Sequence, residues 1–147
     1  MYSDDFRRGS GLQGQQVGSS VDVLPSASLA EQDFMKFTAA SARTCVGAYV
    51  ARALAQSPGS SSVKFGTASI LPLSPPPGSS ANSFGYRFVI PVSATGVKIQ
   101  FYADLLFHRA GPAEVAFNDL GIAAPFPARD EQRLFSLLVT RADAHAQ

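Results

Sequence analysis

Polar side chains fall on alternate positions of three consecutive strand-like runs: Arg87, Lys98, Gln100, Tyr102, Asp104, His108, Glu114 and Asn118. These are residue types from which acid–base chemistry is built. A carboxylate beside an imidazole orients the ring and raises its pKa, so His108 with Glu114 is the pair that would move a proton. The candidate binding patch is Arg87, Tyr102, Asp104, His108, Glu114 and Asn118. Cross-strand pairs of opposite charge also make up an ordinary solvated sheet face, each contributing a fraction of a kcal/mol. That structural account covers the same residues, and on it an exposed His108 would be worth less than about 0.5 kcal/mol.

Other chemistries lack their signatures. No G-x-S-x-G is present, and the serines sit in Ser/Gly-rich loops with no histidine at a recognisable spacing. Neither Gly-rich phosphate loop occurs. Cys45, the only cysteine, permits no internal disulfide and no site of several thiolates. Its place among alanines and valines at helical spacing predicts a buried, inert thiol. His108 and His145 are far apart, and Ser3-Asp4-Asp5 reads as a hydrated end. No catalytic residue, metal site or cofactor is expected.

Hydrophobic residues make up 46% of the chain and charged ones 16%, as in a globular domain. A net charge of +1 with no Lys/Arg cluster gives no electrostatic footprint for nucleic acid. No run approaches the roughly 18 apolar residues of a spanning helix, so no transmembrane segment is expected. The first residues carry no signal-peptide pattern of charged start, apolar core and cleavage site.

Hydrophobic spacing places the elements. Phe84, Tyr86, Phe88, Ile90 and Val92 share one face of a first strand, and Val97, Ile99, Phe101, Ala103, Leu105 and Phe107 one face of a second. Such clean alternation predicts an antiparallel meander with one face buried and the other wet. Pairing Val92 with Val97 across Ser93-Ala94-Thr95-Gly96 sets Ile90 against Ile99 and Arg87 against Tyr102, with Asp104 diagonal to Arg87. A three-residue turn, Ala110-Gly111-Pro112, keeps Phe107 on the face of Val115 and Phe117. It also sets His108 against Glu114 and Asp104 against Asn118. Pro91 marks an edge or ending strand.

Ser28-x-x-Glu31 reads as a capping box that opens a long helix ended by Pro58 and Gly59. Its Phe34, Phe37, Cys45, Val46, Tyr49 and Val50 form an apolar stripe. Pro127 with Asp130 and Glu131 suits the start of a closing helix, whose shared face is Leu134, Leu137, Leu138 and Arg141. Residues 1–27 bury too little to offset their ordering entropy and are expected to be a flexible tail, with Val21, Val23 and Leu24 available to the sheet edge. The fold class is α+β. A four-stranded antiparallel meander, with strands near 62–71, 84–92, 97–109 and 113–119, is packed by an N-terminal helix (28–56) and a C-terminal helix (128–143). Residues 28–147 form a single domain.

The segment from Ser83 to Arg141 resembles the small exported sensor-like or lipoprotein domains of actinobacteria. In these a strand ending D-x-x-x-x-R-x-G precedes x-x-F-x-x-L-G, then P-F-P and a Glu-Gln helix. The matching residues are Asp104, Arg109, Gly111, Phe117, Leu120, Gly121, Pro125, Phe126, Pro127, Glu131 and Gln132. The relatives look similar in fold to the extracytoplasmic sensor domain of a mycobacterial Ser/Thr kinase and to the PsbP/Mog1 group, an antiparallel sheet with helices packed on it. The resemblance implies a non-catalytic sensing, ligand-binding or scaffolding domain at the cell envelope, and so an extracytoplasmic location. Its matched residues are turn and packing positions, which bring fold rather than chemistry.

Two functions stay open. The first is a non-catalytic sensor, ligand-binding or interaction domain, its partner a small molecule or a protein. The second is a small cone-shaped α+β enzyme or apolar-ligand binder with a pocket between helix 28–56 and the sheet. Burial of Tyr86, Asp104 and His108 around one deep cavity would favour the second; a filled core and a flat polar sheet face would favour the first. An exposed face or edge strand would also serve a homodimer.

Overall fold

The computed structural model describes residues 6–10, 14–56, 63–77 and 82–146. Ser3-Asp4-Asp5 and the helix end at Pro58-Gly59 lie outside them. In chain order the elements are β1 (Phe6–Arg8), β2 (Gln15–Val23), α1 (Ala27–Thr38), α2 (Ala40–Ala55), β3 (Val63–Phe65), β4 (Ser69–Leu73), β5 (Ser83–Ala94), β6 (Val97–Ala110), β7 (Ala113–Ile122) and α3 (Ala128–His145). The α+β class therefore holds, and the expected four-stranded meander is the centre of a larger sheet. Seven antiparallel strands lie in the order β1-β2-β7-β6-β5-β3, with β4 also on the outer edge of β5.

The two hairpin turns decide which side chains meet. Thr95 (φ 47°) and Gly96 (φ 83°) both sit in the left-handed region, a two-residue turn whose twist suits a hairpin. Ala94 thus pairs with Val97, Val92 with Ile99 and Ile90 with Phe101. The expected register is out by two residues, which preserves every face. Across the second turn, Gly111 (φ 57°) and Pro112 alone make the loop, so Ala110 pairs with Ala113. That is one residue from the expected register, and a one-residue slip turns a whole strand over. Phe107 faces Ala116, His108 faces Val115, and Asp104 faces Asp119.

With β7 turned over, both sheet faces carry apolar stripes and both are covered. On one face Phe34 of α1 meets Phe84 edge-on at 4.9 Å, and Phe37 stacks on Phe107 at 5.6 Å. Val46 and Val50 of α2 pack on the core of Tyr86, Phe88, Ile90, Val92 and Ala103. On the other face α3 seals Leu106 and Phe117 with Phe135 and Val139. The expected wet face is therefore buried over its middle. The stripe of α3 also differs from expectation: Glu131, Phe135 and Val139 are buried, while Leu137 is exposed.

Other expectations are corrected locally. The helix over residues 28–56 is two helices, broken at Ala39, whose ψ of 146° is extended. Separate axes let α1 lie over Phe84 and Phe107 while α2 follows the sheet toward β3 and β5. Ser26, not Ser28, caps α1, its Oγ accepting from Leu29 N–H at 3.2 Å. Cys45 is exposed rather than buried, because α2 turns Val46 and Gly47 to the sheet. The single strand near 62–71 is split into β3 and β4. Pro91 faces that split, where its carbonyl accepts from Gly66 N–H at 2.7 Å and its missing N–H disrupts no ladder. β5 is therefore an interior strand.

The expected tail is a sheet edge. β2 pairs with β7 along its whole length, from Gln15 opposite Gly121 to Val23 opposite Ala113, and β1 adds Phe6–Arg8 outside it. Gln, Gly and Ser obscure the alternation, yet Val17, Val21 and Val23 share the face that α3 flanks. Among the described residues no helix is long and apolar enough to cross a membrane.

Candidate functional site

Beneath the first turn of α3 four charged side chains from four elements converge. Arg87 of β5 stands directly opposite Asp104 of β6. Its Nε donates to Oδ1 at 2.8 Å and its Nη2 to Oδ2 at 2.5 Å, a bidentate, charge-assisted pair. Asp119 of β7 stands opposite Asp104 on the other side, and Glu131 of α3 comes down on the group, with Oε2 3.7 Å from Arg87 Nη2. Asp104 and Asp119 are 0% exposed and Glu131 3%.

One guanidinium faces three carboxyl groups in a dry place. Both Asp119 oxygens and Glu131 Oε2 find no hydrogen-bond donor among the described residues. Burial pushes Asp119 up to about 9, and the charges of Asp104 and Glu131 add to the push. Burial, with Asp104 alongside, pushes Glu131 up to about 7. Two carboxylates cannot donate to each other, so a hydrogen bond between Asp119 and Glu131 requires a proton on one of them. The hydrogen bond to Asp104 holds Arg87 above its ordinary pKa, against the effect of burial. In chemical terms the group can store a proton or hold a cation.

The sequence-derived patch is divided by the structure. Arg87, Tyr102, Asp104 and His108 lie on the α3 face, while Glu114 and Asn118 lie on the α1–α2 face. The His108–Glu114 pair is therefore not formed. Tyr102 donates to Gln100 Oε1 near the end of the face. Glu114 stands opposite Arg109 in an acid-rimmed cleft with Asp22 and Asp33; burial raises its pKa, and those two charges raise it further. Asp119 and Glu131 were outside the expected patch. Glu131 carried a readable signal, since it lies four residues before Phe135 and eight before Val139 on one helical stripe.

His108 is 1% exposed and bridges Ser83 and Asp143, with Nδ1 2.8 Å from Ser83 Oγ and Nε2 3.0 Å from Asp143 Oδ1. A serine, a histidine and an aspartate thus meet, but with the serine at Nδ1 and the aspartate at Nε2, the reverse of the usual order. The ring is buried, and Asp143 is 58% exposed on its side chain. The trio ties the start of β5 and the end of β6 to the last turns of α3. Tyr86 is buried on the opposite face, where its Oη donates to the carbonyl of Phe37 at 3.0 Å. Tyr86, Asp104 and His108 are thus all buried, yet they do not surround a common cavity.

An apolar open space lies elsewhere. Where α3 ends its cover of the sheet, a groove of about 490 Å³ runs between β2, the β6–β7 turn and the C-terminal half of α3. Val21, Val23, Val115, Leu138 and Ala142 line it, with Arg141 and His145 at its rim. A second space of about 270 Å³, between Phe6, Val17, Phe117 and Leu134, adjoins it and also touches Leu138 and Arg141. On the α1 side the centre is filled, and the acid-rimmed cleft by Phe37 and Phe107 encloses about 360 Å³. No protein-family model matches the chain, and neither a curated protein nor a solved structure matches it.

Proposed function

We propose that this chain is a ligand-binding domain whose site is the groove between β2 and α3, and that its ligand is an extended apolar molecule with an anionic end. The apolar groove itself carries the reading. Concave, largely apolar spaces of about 300–1,000 Å³ with a few polar groups at the margin are where small ligands bind. Arg141 makes no ion pair among the described residues and stands where both spaces meet. His145 adds a second nitrogen donor near it. The likeness to exported sensor-like domains supports the same reading, a non-catalytic sensor or ligand-binding domain of the envelope.

Native mass spectrometry with long-chain fatty acids and the matching alcohols tests it. The acid is expected to bind in preference to the alcohol. Arg141→Gln should remove that preference, and Leu138→Trp should block both ligands by filling the space where the two cavities join. Binding unaffected by Leu138→Trp, or no binding at all, would overturn the assignment.

A further inference from the structure

Asp104, Asp119 and Glu131 each offer a carboxylate oxygen, and these oxygens lie within 4.8 Å of one another. We propose that they form a site for a single divalent cation, Ca²⁺ fitting best, which fastens the first turn of α3 to the middle of the sheet. The site is separate from the groove and stands or falls independently of it.

Proximity of acids alone would say little, since acidic groups often gather without an ion. Here the unmet demand is specific. Asp119 is 0% exposed with no hydrogen-bond donor to either oxygen among the described residues, and Glu131, 3% exposed, has no hydrogen bond to Oε2, only the Arg87 guanidinium 3.7 Å away. A buried carboxylate without donors is costly unless a cation or a proton answers it. Arg87 gives both its hydrogen bonds to Asp104, from the β5 side, in the way an outer partner orients a metal ligand, and meets Glu131 only at 3.7 Å. Three carboxylates against one guanidinium leave two negative charges, which one divalent ion neutralises.

The donor set chooses among metals. All-oxygen carboxylate ligands suit Ca²⁺, Mg²⁺ or Mn²⁺ rather than the softer transition metals. Mg²⁺ keeps several waters in a strict octahedron, for which a group buried between strands and helix leaves little space. Ca²⁺ accepts bidentate carboxylates and irregular geometry at about 2.3–2.6 Å, and so can span oxygens separated by as much as these.

Thermal unfolding of the whole chain at mildly alkaline pH, after chelator treatment and with millimolar Ca²⁺, Mg²⁺ or Mn²⁺ restored, provides the test. Ca²⁺ is expected to raise Tm by about 5–10 °C, and native mass spectrometry to find one Ca²⁺ per chain. Asp119→Asn should fold in chelator and lose the shift. Asp33→Asn, in the acid-rimmed cleft on the other face, should keep it. Should Asp119→Asn fail to fold, the stoichiometry of the unaltered chain still decides. An identical Tm with and without each cation, together with no bound ion in the mass spectrum, would mean that the carboxyls hold protons instead. A shift that Asp33→Asn abolishes would place the ion in the cleft, and either result overturns the proposal.

Discussion

Arg87 and Asp104 face each other across β5 and β6, joined by two parallel hydrogen bonds of 2.8 and 2.5 Å, and α3 lies over the pair. The arginine side chain keeps 23% of its surface exposed, whereas that of Asp104 keeps none. The guanidinium can therefore be partly hydrated while its partner depends on it entirely. Asp119 and Glu131 lie nearby, and each makes that dependence greater when it is ionised.

Removing the arginine should accordingly cost far more than breaking a surface pair. Arg87→Leu is expected to destabilise the domain by about 3–5 kcal/mol, the cost of leaving a buried charge uncompensated. Arg87→Lys should recover only part of this, because an ammonium cannot reproduce the planar fork. Urea unfolding at neutral pH measures both, and a loss below about 1 kcal/mol for Arg87→Leu would show that the pair behaves as a solvated one.

The buried acids also set a pH dependence. Asp119 and Glu131 have folded pKa values of about 9 and about 7, raised from 3.8 and 4.5. Between the unfolded and folded values the native state binds more protons, so stability falls as pH rises. Their contribution is fully present below about pH 4 and is lost through about pH 7 and then 9. With a chelator present, the slope attributable to each group should not exceed about 1.4 kcal/mol per pH unit. Unfolding at stepped pH, repeated on Asp119→Asn, should show the alkaline part of the decline flattened in the variant.

Burial reverses the expectation for His108. Truncating an exposed histidine would matter little, but this ring is 1% exposed and bonded at both nitrogens. His108→Ala is expected to cost about 1–3 kcal/mol through the lost bonds and the void left beside them. The end of α3 should loosen first, which hydrogen exchange over Thr140–His145 would register as faster exchange there than over Ala128–Phe135.

Two glycines separate space from backbone conformation. A Cβ on Gly121 would stand 2.2 Å from the carbonyl oxygen of Ala124, so Gly121→Ala must displace the chain leading into α3 and should cost about 1–3 kcal/mol. Gly96 has nothing within 4 Å of such a carbon but holds φ at 83°. Gly96→Ala should then cost only about 1 kcal/mol, from the left-handed backbone alone. Denaturation midpoints of the two variants give the comparison.

The sequence by itself determined the three central strands, the side-chain parity within each of β5 and β6, the closing helix and the α+β class. Those features depend on periodicity and on local turn residues, which a chain carries wherever it goes. What packs on each face is another matter. Ala110 lies in the strand rather than the turn, and that single residue carries Asp119 over to Asp104 and sends Glu114 and Asn118 to the opposite face. Nothing in local alternation distinguishes the two pairings; the docking of Phe135 and Val139 on Leu106 and Phe117 does. The polar face likewise reads as wet until α3 covers it. Gln15–Val23 reads as a tail until β7 supplies its hydrogen bonds. Arg87, Asp104, Asp119 and Glu131 lie far apart in the chain, and only tertiary packing brings them together and removes their water.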